Sequence, residues 1–183
     1  MTLWLVRHAQ PVLAPGVCYG ALDVAADPVA TQVAARALAQ VLPHGLAVQV
    51  SPLQRCEQLA QCLRGLRPDL TFKTEPRLRE MHFGHWEGVA WDQIPRDALD
   101  AWTANFGDHR FGGVESANEV LARVGAVWDA CVAHKAPQGW ITHAGVARAA
   151  VLLQQGQRRV QRADQWPKDA LAFGAWQNIV MDA

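Results

Sequence analysis

Leu3-Trp4-Leu5-Val6-Arg7-His8-Ala9 is an apolar run that delivers an arginine and a histidine together at its carboxyl end. Leu3 to Val6 reads as a strand, and in open α/β sheets ligands bind in the crevice beyond the carboxyl ends of the strands. A histidine beside a fixed cation at that point suggests anion chemistry. A helix-capping arginine and a gap-filling histidine would look the same in isolation. Further along, Trp140-Ile141-Thr142-His143-Ala144-Gly145 repeats the design: a strand ends in a histidine, and small residues open a helix over Val146 to Gln154. Gly145 lets backbone N–H groups approach a ligand at the positive end of that helix's dipole. Between the two, the strand Leu46 to Val50 passes through Ser51 as a helix cap and Pro52 in the first turn into a helix with Arg55 near its start. A cation there opposes the dipole, so Arg55 requires an anion nearby.

The remaining pattern alternates strand with helix. Pro28 to Leu42 carries apolar residues at helical spacing, Leu70 to Lys73 reads as a short strand, and Ser116 to Ala133 as a long amphipathic helix opened by a Ser116/Glu119 capping box. Alternation from Leu171 to Val180 predicts a final strand at a sheet edge. Trp91 to Phe106 predicts short helices over the site, ended by a turn at Gly107. The expected fold is α/β: three α/β/α layers around a mostly parallel sheet with right-handed crossovers, plus a helical lid insertion at about 82–115. With no linker and no repeat, residues 1–183 read as one domain, a length that supports one sizeable core.

Seventeen basic residues balance seventeen acidic ones. With no net positive field to recruit it, neither nucleic acid nor an anionic membrane is an expected partner. Arg158, Arg159 and Arg162 read as a solvated helix end. The four cysteines, at 18, 56, 62 and 131, form no C-x-x-C pair. They read as reduced thiols of a cytoplasmic protein. No run approaches the ~18 apolar residues of a membrane span, and no leader precedes the first strand.

Four motifs in order give the chain its likeness. Arg7-His8-Ala9, Ser51-Pro52-Leu53-Gln54-Arg55, Leu78 to Gly88 around Glu80, and Thr142-His143-Ala144-Gly145 together resemble the histidine phosphatase superfamily, the phosphoglycerate-mutase-like enzymes. The resemblance implies a phosphomonoesterase that works through a phosphohistidine and needs no metal or other cofactor. It casts His8 as nucleophile, Arg7 and Arg55 as phosphate clamps, His143 as a further phosphate-binding catalytic group and Glu80 as the acid that protonates the leaving oxygen. The chemistry agrees: guanidinium groups match phosphate oxygens in bidentate bonds, and a neutral imidazole can attack phosphorus if a partner on its other nitrogen, such as a backbone carbonyl, fixes the tautomer. Glu87 competes with Glu80 for the acid role, or is a loop carboxylate paired with an arginine. His82 and His85 with Glu80 and Glu87 do not read as a metal cluster, since Gly84 and Gly88 break any helical register.

Gly16-Val17-Cys18-Tyr19-Gly20-Ala21-Leu22-Asp23-Val24 and Gly112-Gly113-Val114-Glu115-Ser116 resemble stretches of the bacterial α-ribazole phosphatase branch. That points to α-ribazole 5′-phosphate, in cobalamin synthesis, as the substrate. Tyr19, His82, Trp86, Glu87 and Glu115 are then pocket candidates, with Tyr19 as loop anchor, Asp23 as turn residue and Glu115 as first-turn acid the plain alternatives. Trp86, Trp91 and Trp102 either stack on a flat aromatic leaving group or fill a core. Trp4, Trp128 and Trp140 read as core. Ala9 stands where the family has glycine, and Pro11 lacks an N–H donor. A general phosphatase or mutase acting on sugar phosphates or nucleotides, and a non-catalytic phosphate-binding protein, are the alternatives. The oligomeric state is open, a homodimer included.

Overall fold

The structure is a computed structural model that describes residues 1–181. Five strands, β1 (Thr2–Arg7), β2 (Ala47–Val50), β3 (Thr71–Thr74), β4 (Gln138–Thr142) and β5 (Trp176–Val180), form one sheet in the order β3-β2-β4-β1-β5. All neighbours pair in parallel except β5, which runs antiparallel to β1 at the edge. Strand β4 is buried throughout. Such complete burial suits a central strand with both faces covered.

The two-residue period of β1 explains the layers. Leu3 and Leu5 point into one core with Trp140, beneath α4 (Ala117–His134) and α5 (Ala144–Gln154). Val6 and Ile141 point into the other, with Trp4 packed against it, beneath α1 (Pro28–Val41) and α2 (Gln54–Leu66). Each fully buried leucine or valine contributes about 1.5–3 kcal/mol, so these two faces dominate the fold's stability. Trp128 and Trp140 are core as expected, whereas Trp4 is only half-buried.

The Ser116/Glu119 capping box is present: the serine oxygen accepts from the Glu119 N–H, and the Glu119 carboxylate accepts from the Ser116 N–H. Other boundaries differ from expectation. Helix α2 starts at Gln54, and Ser51 does not cap it. Instead the Asp23 carboxylate accepts from the Gln54 N–H at 2.8 Å, capping the helix from a loop 31 residues away. Strand β5 starts only at Trp176, so Leu171 to Ala175 is not strand. Arg158, Arg159 and Arg162 follow α5 in a loop rather than ending a helix, and pair with Asp129, Asp108 and Asp164.

Between β3 and α4 the chain forms short turns and one helix, α3 (Arg96–Ala104). Phe111 organises this segment, stacked 4.3 Å from Trp102 and 6.0 Å from Trp91. The segment closes on itself where Gly84 and Gly112 touch: a Cβ on Gly84 would sit 1.8 Å from the Gly112 oxygen, and both glycines have positive φ. Only glycine fits such a backbone crossing. No helix among the described residues is long and apolar enough to cross a membrane.

Candidate active site

Strand register builds the site. Arg7 pairs with Thr142 across the β1/β4 ladder, and the His8 N–H donates to the Thr142 oxygen at 3.1 Å. The next residues on both strands are therefore neighbours, and the His8 and His143 rings stand 5.1 Å apart, both buried. His8 Nδ1 lies 2.7 Å from the Ala9 oxygen. A carbonyl only accepts, so Nδ1 carries the proton and Nε2 presents a lone pair. Burial, then the Arg55 charge, pushes the His8 pKa down to about 3, so the ring is neutral at ordinary pH.

Arg55 is fully buried and donates to the Gly20 oxygen at 2.7 Å, to the Leu22 oxygen at 3.0 Å and to His8 Nε2 at 3.3 Å. Arg7 donates to the Leu171 oxygen at 2.7 Å. Burial lowers the Arg7 pKa and raises that of Tyr19. The Phe173 ring covers the Arg7 guanidinium, 3.8 Å from its centre. His143 Nε2 lies 2.7 Å from Ser51 Oγ, and burial holds its pKa well below the usual histidine value.

Glu80 stands where α5 begins, accepting from the Gly145 N–H at 3.0 Å and from its own neighbour's N–H at Met81. A side chain at Gly145 would come within 2.3 Å of that carboxylate. The close approach that Gly145 permits is thus made by Glu80. Arg7, His8, Arg55, Glu80 and His143 converge on one region at the carboxyl ends of β1 and β4.

The pocket candidates divide. The Tyr19 ring stands beside the centre, 5.3 Å from the Arg55 guanidinium. Glu87 is turned to the backbone: its carboxylate accepts four N–H bonds, from Gly20, Ala21, Leu22 and Phe83. It pairs with backbone rather than with an arginine, and ties the loop that holds Arg55 to the segment after Glu80. Glu115 is bound by Arg123 at 2.7 Å and by the His82 N–H at 2.9 Å. His82 Nδ1 accepts from the Gly84 N–H, and Trp86 packs on Phe111 and His85. Glu115, His82 and Trp86 thus make contacts within this loop segment. Among the described residues no three His, Cys, Asp or Glu side chains are grouped to hold a metal ion.

A cavity of about 360 Å³ opens beside Glu80 and Gly145. Phe83, Trp91, Trp102, Phe106 and Trp166 wall it, with Arg148 and Lys168 also lining it. Sequence reasoning finds Trp91 and Trp102 but misses Trp166, Ser51 as a histidine partner, Phe173, and Arg123, which also donates to the Arg77 and Arg79 oxygens and so holds the strand-to-Glu80 segment. Of these only Ser51 carries a signal, since it lies in a quoted motif. Pro11 is buried, in a bridge to Ala26.

Residues 3–171 match the family model of the histidine phosphatase superfamily, branch 1. The chain belongs to the histidine phosphatase superfamily. Mycobacterial glucosyl-3-phosphoglycerate phosphatase is a structural neighbour of this histidine phosphatase at 25% identity and a TM-score of 0.80, over 97% of this chain and 88% of that one. The same mycobacterial enzyme in complex with inorganic phosphate aligns at 25% identity and 0.78, over 97% of this chain and 88% of that one. TTHB049 from Thermus thermophilus aligns at 29% identity and 0.73, over 97% and 92% of the two chains. Comparison with curated protein sequences finds no match. Family and neighbours make this histidine phosphatase a phosphoric monoester hydrolase, which sets aside the non-catalytic alternative.

Proposed function

We propose that the enzyme hydrolyses a phosphomonoester in two steps through His8, without a metal ion, and that its substrate is α-ribazole 5′-phosphate. The observation that carries the mechanism is the His8 tautomer: Nδ1–H is held by the Ala9 carbonyl, so a neutral Nε2 lone pair faces the buried Arg55. Phosphate entering at Nε2 exchanges the Arg55–His8 contact for bonds between Arg55, Arg7 and the phosphate oxygens. Nε2 attacks phosphorus, the bond to the leaving oxygen breaks, and protonated Glu80 gives that oxygen its proton. Water then attacks the phosphohistidine, passes a proton back to Glu80, and frees inorganic phosphate and His8. His143 donates to the equatorial oxygens as charge builds on them. The segment 82–115 covers the site within a single domain.

The aromatic walls support the substrate reading. Phe83, Trp91, Trp102, Phe106 and Trp166 beside the acid suit a flat, apolar leaving group such as a benzimidazole nucleoside. Each stacked pair adds about 0.5–1.5 kcal/mol beyond area burial. A second reading draws on Arg148 and Lys168 in the same cavity, which favour an acidic leaving group of the phosphoglycerate kind. The deciding measurement is kcat/KM across α-ribazole 5′-phosphate, sugar phosphates, nucleotides and phosphoglycerate esters. The cobalamin reading requires α-ribazole phosphate to lead. A tenfold advantage for a sugar phosphate or a phosphoglycerate ester overturns it, and absence of turnover on any phosphomonoester overturns the mechanism as well.

A further inference from the structure

Past the aromatic cavity the chain returns over the site as an exposed strap, Pro167 to Ala175, before entering β5. Its far end meets the first strand: the Gly174 N–H donates to the His8 oxygen at 2.9 Å, and the Arg7 N–H donates to the Ala175 oxygen at 3.0 Å. Phe173 is thereby delivered to one place. Its ring lies 3.8 Å from the Arg7 guanidinium carbon and 5.6 Å from the His8 ring. Phe173 itself is 36% exposed, so it is not a core residue whose position folding alone would require.

Arg7 is otherwise loosely specified for a phosphate ligand. One terminal nitrogen is committed to the Leu171 oxygen on the same strap, and Nε is buried with no partner. Among the described residues, the Phe173 face and that strap carbonyl bear on the plane of the guanidinium, and bidentate phosphate binding depends on that plane. An aromatic face over a guanidinium attracts it and excludes water from one side, while leaving the N–H edge open to an anion. The same ring meets His8, so one side chain bears on both the clamp and the nucleophile.

We infer that Phe173 is a positioning residue: stacked on Arg7 and against His8, it fixes the guanidinium plane for the substrate phosphate. This rests on the reading of Arg7 as a phosphate ligand given above. Leucine would keep the apolar cover but lose the ring's negative face, whereas tyrosine would keep both.

The test compares Phe173→Ala, Phe173→Leu and Phe173→Tyr with the wild-type enzyme, using p-nitrophenyl phosphate for turnover and orthovanadate for binding by calorimetry. We expect Phe173→Ala to raise KM and weaken vanadate binding roughly tenfold with kcat changed far less, Phe173→Leu to fall between, and Phe173→Tyr to stay near wild type. Unfolding temperatures within a few degrees of wild type would accompany this, because the ring is substantially exposed. Equal vanadate affinity in all four proteins overturns the inference. So does an alanine variant whose loss is matched by the tyrosine variant. Wild-type enzyme that binds vanadate but turns over no ester would instead defeat the proposed function, and the vanadate series would still decide the role of Phe173.

Discussion

Ser51 Oγ lies 2.7 Å from His143 Nε2, in a fully buried contact between residues 92 positions apart. The Leu53 N–H reaches the same oxygen at 3.4 Å. With its oxygen taking that bond, the hydroxyl proton can point at Nε2, leaving Nδ1 of His143 as the protonated nitrogen. Replacing Ser51 with alanine leaves a buried imidazole nitrogen without this partner. The expected cost is about 1–3 kcal/mol of stability, seen as a lowered denaturant midpoint, together with a fall in kcat as His143 loses its fixed tautomer.

Glu80→Gln should lower kcat by roughly 10²–10⁴-fold on an alkyl phosphate, because the amide cannot give a proton to the departing alkoxide. On p-nitrophenyl phosphate, whose leaving group needs little protonation, the loss should be much smaller. Steady-state rates on the two substrates read the difference. Equal losses would show that the glutamate only holds the Gly145 backbone.

Glu87→Ala should act at a distance. Four backbone N–H groups lose their acceptor, and the Gly20–Leu22 loop they hold supplies both carbonyls bound by Arg55. A stability loss of about 2–3 kcal/mol is expected from the unpaired donors, with a raised KM as Arg55 loosens. Thermal unfolding and KM measured on the same variant would check both.

The neutral histidines make stability depend on acid. His8 has a pKa of about 3 in the folded protein against an ordinary 6.5. Between those values the unfolded chain binds a proton that the folded one does not, so stability rises with pH through this window and falls as pH drops from about 6.5 toward 3. His143 shifts in the same direction and adds to the slope. His8→Asn should flatten the dependence of unfolding free energy on pH between about 4 and 6.5, as measured by urea titration. An unchanged slope would refute the assignment.

Chelation should have no effect on turnover. Arg7 and Arg55 supply the positive charge, and His143 a further donor, that a metal would otherwise bring, so rates in excess EDTA should equal those without it. A rate that collapses in chelator and returns with added divalent cation would overturn the metal-free mechanism.

The strands that end in His8 and His143 are legible in the sequence because a buried parallel strand is a local apolar run, and the glycine and small residues after it mark the helix start. The Ser116 cap is legible for the same reason: both its partners lie within three residues. Ser51 misleads because a serine before proline looks locally like a cap, and only the fold brings His143 to it while Asp23 takes over the helix end. Glu87 and Arg123 are illegible as braces, since most of their partners are backbone groups whose directions a sequence does not display. Alternation places Phe173 in a strand. The antiparallel edge begins only at Trp176, and what precedes it is held by Arg7 and His8 instead.

The pairing of Arg7 with Thr142 has a consequence for how such an enzyme can change. Hydrogen-bond ladders advance in whole residues, so the gap between nucleophile and companion histidine is indexed rather than tuned, and cannot drift by small steps. Drift is instead free to accumulate in the excursion between β3 and α4, which supplies Phe83, Trp91, Trp102 and Phe106 to the cavity beside Glu80. A lineage can thus exchange one ester for another by rewriting that excursion around Glu80 while the two histidines stay geared together by two short strands.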